Sequence, residues 1–262
     1  MNVLISAGIF LLGLAIGSFL NVLVLRFKTS SILGRSFCFS CGRTLRWHEL
    51  IPVASFITLR GRCRACRAKI SWQYPMVELL TGFAFLSLFN LGLEPAEFLF
   101  SAVFFSVLIF VAVYDWLHKI IPEEVVYLAS VLSALFLLYK LGASGEIFWL
   151  DALAGVVLAL PLAALTYLSG GRLMGLGDAK VMFPVGTFLG ISGGLSSLIL
   201  AFWLGAVFSL FFMGVGKIKA LNFGDKPLTM KSEVPFAPFL VAGAFIVFVY
   251  HLDLISAELF LQ

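Results

Sequence analysis

Eight apolar runs separated by polar turns leave this chain few ways to fold. Read with a window of about 19 residues, they cover 2–25, 75–92, 96–114, 124–141, 149–168, 181–192, 195–216 and 234–252. A segment can cross a hydrocarbon layer of about 30 Å only with its backbone groups paired internally, which a helix achieves. Charged residues make up 12% of the chain and hydrophobic ones 61%, against about 25% charged in soluble domains. The expectation is an all-α polytopic membrane protein of about eight transmembrane helices. The sixth run, with 12 residues, is too short to cross straight and needs extension through Lys180 and Gly193. No basic residue precedes the first run, so no cleavable leader is expected.

Lysine and arginine orient the runs. Ten of the 18 lie between Arg26 and Tyr74, Lys119 follows the third run, and Arg172 and Lys180 flank the turn into the sixth. Lys217, Lys219, Lys226 and Lys231 follow the seventh, which leaves Lys140 alone on the other side. Basic loops stay in the cytoplasm, so both termini are expected on the opposite face. An even number of spans requires that, and charge and count agree. The chain then divides into a first transmembrane helix (1–26), a cytoplasmic loop domain (27–74) and a transmembrane bundle (75–262).

The loop domain is too small for a self-sufficient apolar core and calls for a staple. Cys38 and Cys41, then Cys63 and Cys66, form two CxxC pairs separated by 21 residues, a zinc-ribbon pattern. Four thiolates close a tetrahedral site with no open position, which suits a structural Zn2+ rather than a catalytic one. Disulfides or free thiols are the alternative, and a cytoplasmic location disfavours the former. Arg35, Arg43, Arg62, Arg64 and Arg67 offset the charge of a zinc tetrathiolate. His48, beside Trp47, reads as a surface residue. A basic zinc ribbon also suits nucleic acid, but topology and anionic headgroups explain the arginines, so no nucleic-acid partner is expected.

The chemistry is expected from carboxylates. Glu94, Glu97, Glu146, Asp151, Asp253 and Glu258 fall in turns or the tail opposite the basic loops and are set aside. Asp115 closes the third run and Asp178 opens the sixth, within Leu173-Met174-Gly175-Leu176-Gly177-Asp178-Ala179-Lys180. Both belong to the cytoplasmic boundary, and intramembrane acids are functional candidates by default. Gly175 and Gly177 suggest an extended or unusual backbone and the close approach of another chain segment. Glu78, just inside the second run, is a supporting residue, as are Gly175, Gly177 and Lys180. Two adjacent carboxylates share one proton. The ionised one takes a proton from water attacking a peptide carbonyl, and the protonated one polarises that carbonyl and then donates to the leaving amine.

The GxGD stretch at 175–178 with Lys180, and Asp115 ahead of Pro122, resemble the type IV prepilin peptidases, a branch of the GxGD membrane aspartyl proteases. Gly17-Ser18-Phe19-Leu20-Asn21-Val22 with Arg26 is similar to that family's opening motif. Trp47 to Pro52, Arg60 to Cys63, Ile70-Ser71 and Tyr74-Pro75 through Gly82 follow its loop domain, and Val234 to Phe239 the entry to its last span. Glu123, the Phe27-Lys28 pair after Arg26, and Ala237 depart from the pattern without touching the aspartates. The resemblance implies Asp115 and Asp178 as the catalytic pair. It implies removal of the basic leader from type IV prepilins or secretion pseudopilins at the cytoplasmic face of a bacterial inner membrane, with periplasmic termini. It also implies N-methylation of the new N-terminus with S-adenosyl-L-methionine, a link of the loop domain to methyl transfer, and no assigned cofactor pocket.

Two other classes compete. A proton-coupled transporter would use intramembrane acids, but near the middle of the bilayer rather than at one boundary. A membrane-anchored zinc-ribbon interaction protein would need one or two spans, not eight.

Overall fold

The computed structural model describes residues 3–28, 34–144, 149–172, 174–215 and 234–254. Leu173, Lys217, Lys219, Lys226, Lys231, Glu146 and Glu258 lie outside them. The described residues form seven long helices: α1 (Val3–Arg26), α3 (Gln73–Asn90), α4 (Pro95–His118), α5 (Glu123–Ser144), α6 (Trp149–Leu168), α7 (Leu176–Val215) and α8 (Ala237–Tyr250). Between α1 and α3 lies a small module with a 3-10 turn (Trp47–Glu49) and one short helix, α2 (Ala54–Thr58). Among the described residues five helices are long and apolar enough to cross a membrane, and no strand forms beyond isolated bridges. This is an all-helical, multi-pass membrane protein. The chain separates into two compact units, Met1–Val113 and Tyr114–Gln262.

In the first unit α1 and α3 approach through glycine. A Cβ on Gly13 would stand 2.8 Å from the Gly82 Cα, and one on Gly17 2.7 Å from the Glu78 Cα. Small residues four apart let two membrane helices touch backbone to backbone, where van der Waals contact replaces the missing hydrophobic drive. Asn21, 1% exposed, donates from Nδ2 to the Tyr74 carbonyl at 3.1 Å and ties the ends of the same helices.

In the second unit α7 has 40 residues, which as a straight rod would run about 60 Å, twice the hydrocarbon thickness. It reverses instead at Gly190, whose φ of 76° and ψ of −176° are open to glycine and strained for other residues. The arms 176–189 and 191–215 fold together closely enough that a Cβ on Gly194 would stand 3.1 Å from the Gly186 Cα. The sixth and seventh apolar runs are these two arms. The first is extended back through Lys180, as its length required, but it ends at Gly190 rather than Gly193. Gly155 admits α6 against the Phe183 carbonyl, and Gly243 admits α8 against the Ser197 carbonyl.

Two of the set-aside acids hold the reversal together. Asp151 Oδ1 accepts the Ile191 N–H at 3.0 Å, and Asp253 Oδ1 accepts the Ser192 hydroxyl at 2.6 Å. Ser196 Oγ in turn accepts the Leu254 N–H at 3.0 Å. Set aside as candidates for the chemistry, these acids have a structural use: the reversal exposes backbone donors that need acceptors.

Candidate functional site

Asp178 owes its position to the start of α7. Gly175 precedes the first helical residue, Leu176, which puts it at the N-cap and Asp178 at N3. The Asp178 carboxylate accepts the Gly175 N–H, the reach-back half of a capping box, while the Asp178 N–H donates to the Gly175 carbonyl at 3.2 Å. An acid there also faces the positive end of the helix dipole. The three-residue spacing from Gly175 to Asp178 is a helix-start geometry.

Asp115 occupies the opposite kind of place, the last turn of α4, where the Lys119 N–H closes onto its carbonyl at 2.7 Å. A carboxylate at a helix C-terminus is electrostatically disfavoured. The compensation comes from α8: the N–H of Ala237, first residue of that helix, donates to the Asp115 carboxylate. Pro238 just inside the helix start was the one sequence signal for that end. Asp115 is 5% exposed and Asp178 8%, and the two carboxylates lie close enough to interact electrostatically. Each is therefore held at a helix N-terminus, and the two are brought together.

The glycines divide in role. A Cβ on Gly177 would stand 2.9 Å from Ile121 Cδ1, so the segment after Asp115 presses on the backbone beside Asp178. A Cβ on exposed Gly175 would meet Asp178 Oδ2 at 3.8 Å and the Gly177 N at 3.9 Å, ordinary contacts. The expected close approach is present at Gly177. Neither glycine has a positive φ; Gly175 lies just before the helix and Gly177 in its first turn. Lys180 pairs with Glu123 at the start of α5 rather than with either aspartate. Ile121 and Glu123 gave no signal of their own in the sequence.

The cysteine module lies in the first unit. The Sγ atoms of Cys38, Cys41, Cys63 and Cys66 all fall within 4.8 Å of one another, and Cys38 to Cys66 is 3.8 Å. Four ligands about 2.3 Å from a tetrahedral zinc would stand at that spacing. Two matched knuckles present them, each closed by a bridge, Phe37 with Thr44 and Arg62 with Lys69. The backbone N–H groups of Cys66 and Ala65 lower the Cys63 thiol to about 6. Cys66 keeps one lowering influence, the Ala68 N–H, but burial and the three neighbouring thiols push it up to about 11. Crowded thiols that resist joint ionisation fit a bound dication. His48 meets Arg64 at 3.3 Å and stands outside the cluster. Buried Glu49 braces the module: Oε2 accepts the Arg46 N–H at 2.8 Å, and Arg43 pairs with Oε1.

Glu78 belongs to the first unit, on α3. Its Oε2 accepts the Val53 N–H at 2.7 Å, and the Ser18 hydroxyl of α1 also donates to it.

Residues 11–91 match the Bacterial Peptidase A24 N-terminal domain, and residues 102–210 match the Type IV leader peptidase family. The chain is 33% identical over 255 residues to a Prepilin leader peptidase/N-methyltransferase of Bacillus subtilis (strain 168), covering 95% of each. The chain belongs to the type IV leader peptidase family. It is also 33% identical over 215 residues to a Type 4 prepilin-like proteins leader peptide-processing enzyme of Escherichia coli O78:H11, covering 72% of this chain and 77% of that one. To a Prepilin leader peptidase/N-methyltransferase of Dickeya chrysanthemi it is 30% identical over 262 residues, covering 89% of each. No solved structure matches.

Proposed function

We propose that this protein is a membrane aspartyl endopeptidase that removes the basic leader of type IV prepilins or pseudopilins, with Asp115 and Asp178 as its catalytic pair. The observation that carries this reading is the electrostatic contact between those two buried carboxylates in a chain of this family. With one proton shared between them, the ionised carboxylate draws a proton from water as that water attacks the scissile carbonyl. The protonated one donates to the carbonyl oxygen, and the proton drawn from water then passes to the departing amine as the diol intermediate collapses. The titrations belong to the pair. Ala237 and Gly175 hold the carboxylates in place through their N–H groups, and Ile121 against Gly177 keeps the backbone beside Asp178 from shifting. Gly175, Gly177 and Lys180 are supporting positions.

The reading places the enzyme in a bacterial inner membrane, with the aspartates and the cysteine module on the cytoplasmic side and both termini periplasmic. Basic residues crowd the loops assigned to that side. Cys38, Cys41, Cys63 and Cys66 would hold a zinc ion that stabilises the module and leaves peptide hydrolysis to the aspartates. The second activity is N-methylation of the exposed N-terminus, supported by the names of the relatives. S-adenosyl-L-methionine would supply the methyl group. Purified protein with a prepilin peptide, followed by mass spectrometry with and without the methyl donor, tests both halves. Loss of the leader mass supports cleavage and a further gain of one methyl supports transfer. An intact prepilin in both arms refutes the peptidase.

A further inference from the structure

The first unit contains a cavity of about 570 Å³ that peptide hydrolysis at Asp115 and Asp178 does not use. Its size falls in the range of about 300–1,000 Å³ typical of small-molecule sites. Phe37, Phe56 and Tyr74 give it aromatic walls, and Ser18, Arg26 and Glu78 line it from α1 and α3. Glu78 is 6% exposed, and among the described residues no lysine or arginine pairs with it.

That carboxylate is held by construction. The Ser18 hydroxyl reaches it from α1, and the Val53 N–H reaches it from the module at 2.7 Å. Gly17 lets α1 come within contact of the Glu78 backbone. Val53 makes its hydrogen bond from φ 59° and ψ −50°, a conformation a β-branched residue adopts only under constraint, and such strain gathers at functional sites. Arg26, Arg64 and Lys69 line the same cavity, but among the described residues none forms an ion pair with Glu78, and a buried acid without one is expensive and favours a positively charged ligand.

We propose that this cavity is the methyl-donor site and that Glu78 faces the sulfonium end of an adenosyl-sulfonium donor. The inference rests on the methyl-transfer reading above. In the transfer, the neutral amine forms its N–C bond as the C–S bond breaks with its electron pair passing to sulfur, and the resulting ammonium gives its proton to solvent. Glu78 attracts the ligand while it is charged and loses that attraction once sulfur becomes a neutral thioether. The aromatic walls offer ring faces to the adenine.

The test is calorimetry on the purified full-length protein in detergent micelles, with three probes. S-adenosylmethionine and sinefungin carry a positive charge at or beside the sulfur position, and S-adenosylhomocysteine does not. Glu78→Gln is expected to weaken both cationic probes by about tenfold or more while leaving the neutral thioether within about twofold. Glu78→Asp keeps the charge and should restore the preference. Ser55→Trp, which fills the cavity, should abolish all three. Wild-type protein irradiated with methyl-labelled S-adenosylmethionine should carry the label on the peptide 34–78, a readout that needs no variant. Equal weakening of charged and neutral probes by Glu78→Gln, or label confined to 114–262, overturns the proposal. A wild type that binds none of the probes and adds no methyl overturns the methyl-transfer reading itself.

Discussion

The carboxylate of Asp151, at the start of α6, accepts the backbone N–H of Ile191 at 3.0 Å, and this bond fastens the point where α7 turns back on itself. A Cβ on Gly190 would stand 2.5 Å from the same Oδ1. Gly190→Ala therefore meets two penalties, a left-handed φ and a collision, together about 2–4 kcal/mol. Asp151→Ala loses the acceptor alone, about 0.5–2 kcal/mol, the scale of a helix N-cap. Thermal unfolding in detergent should rank them in that order, and Asp151→Asn, which keeps an oxygen acceptor, should fall nearest wild type.

Asp115→Asn and Asp178→Asn each remove a carboxylate to which the proposed mechanism assigns proton transfer. Leader removal from a prepilin peptide should fall by about 10²–10⁴-fold in either variant, with unchanged melting behaviour. A variant that cleaves at the wild-type rate removes its residue from the mechanism.

Gly177→Ala pushes a methyl group into Ile121 Cδ1 and displaces the helix start that carries Asp178. A shift of about 1 Å at a catalytic group can cost about 100-fold in rate. The double variant Gly177→Ala with Ile121→Ala should regain much of that loss, because the second change clears the collision. No rescue would mean that the glycine matters for another reason.

Removing the metal acts elsewhere. Chelation, or Cys38→Ser, should release zinc measured by atomic emission and open residues 34–74 to protease. The proposed hydrolysis runs on the Asp115 and Asp178 carboxylates, so it should decline only as far as the module's disorder impairs substrate docking.

Glu49 gives the module an acid limit. The Arg46 N–H, with the Arg43 guanidinium beside it, holds its carboxyl below the usual carboxylate range in spite of burial. A depressed folded value stabilises the fold above the unfolded value of about 4.3, and that contribution fades as pH falls through the folded value. Proteolysis of 34–74 should therefore speed up on acidification below about pH 4, and Glu49→Gln should flatten that dependence while lowering resistance at neutral pH.

The apolar runs made the helices legible because a helix is the one way a lone segment satisfies its backbone in hydrocarbon. The CxxC pairs announced a four-thiol cluster because metal ligation demands local spacing. Gly175 and Asp178 stood out as a short motif in the sequence, but the cap they form was not read from it. Features made by distant segments were not readable. The break between the sixth and seventh runs announced a turn but not its seat at Gly190, and Gly177 needs Ile121 to explain it. Asp151 looked like a turn charge until Ile191 lay beside it, and Val53 shows no trace of its strained φ in the sequence.

The sequence by itself determined a helical membrane chain, its four-thiol cluster and its two marked acids, because hydrophobic runs, cysteine spacing and charge in an apolar setting all show within a few residues. Only the tertiary structure decided that Asp115 meets Asp178, with the N-terminus of α8 holding one and that of α7 the other. Such a meeting depends on how helices pack through their glycines, and packing is a property of pairs of surfaces that no single stretch of sequence contains.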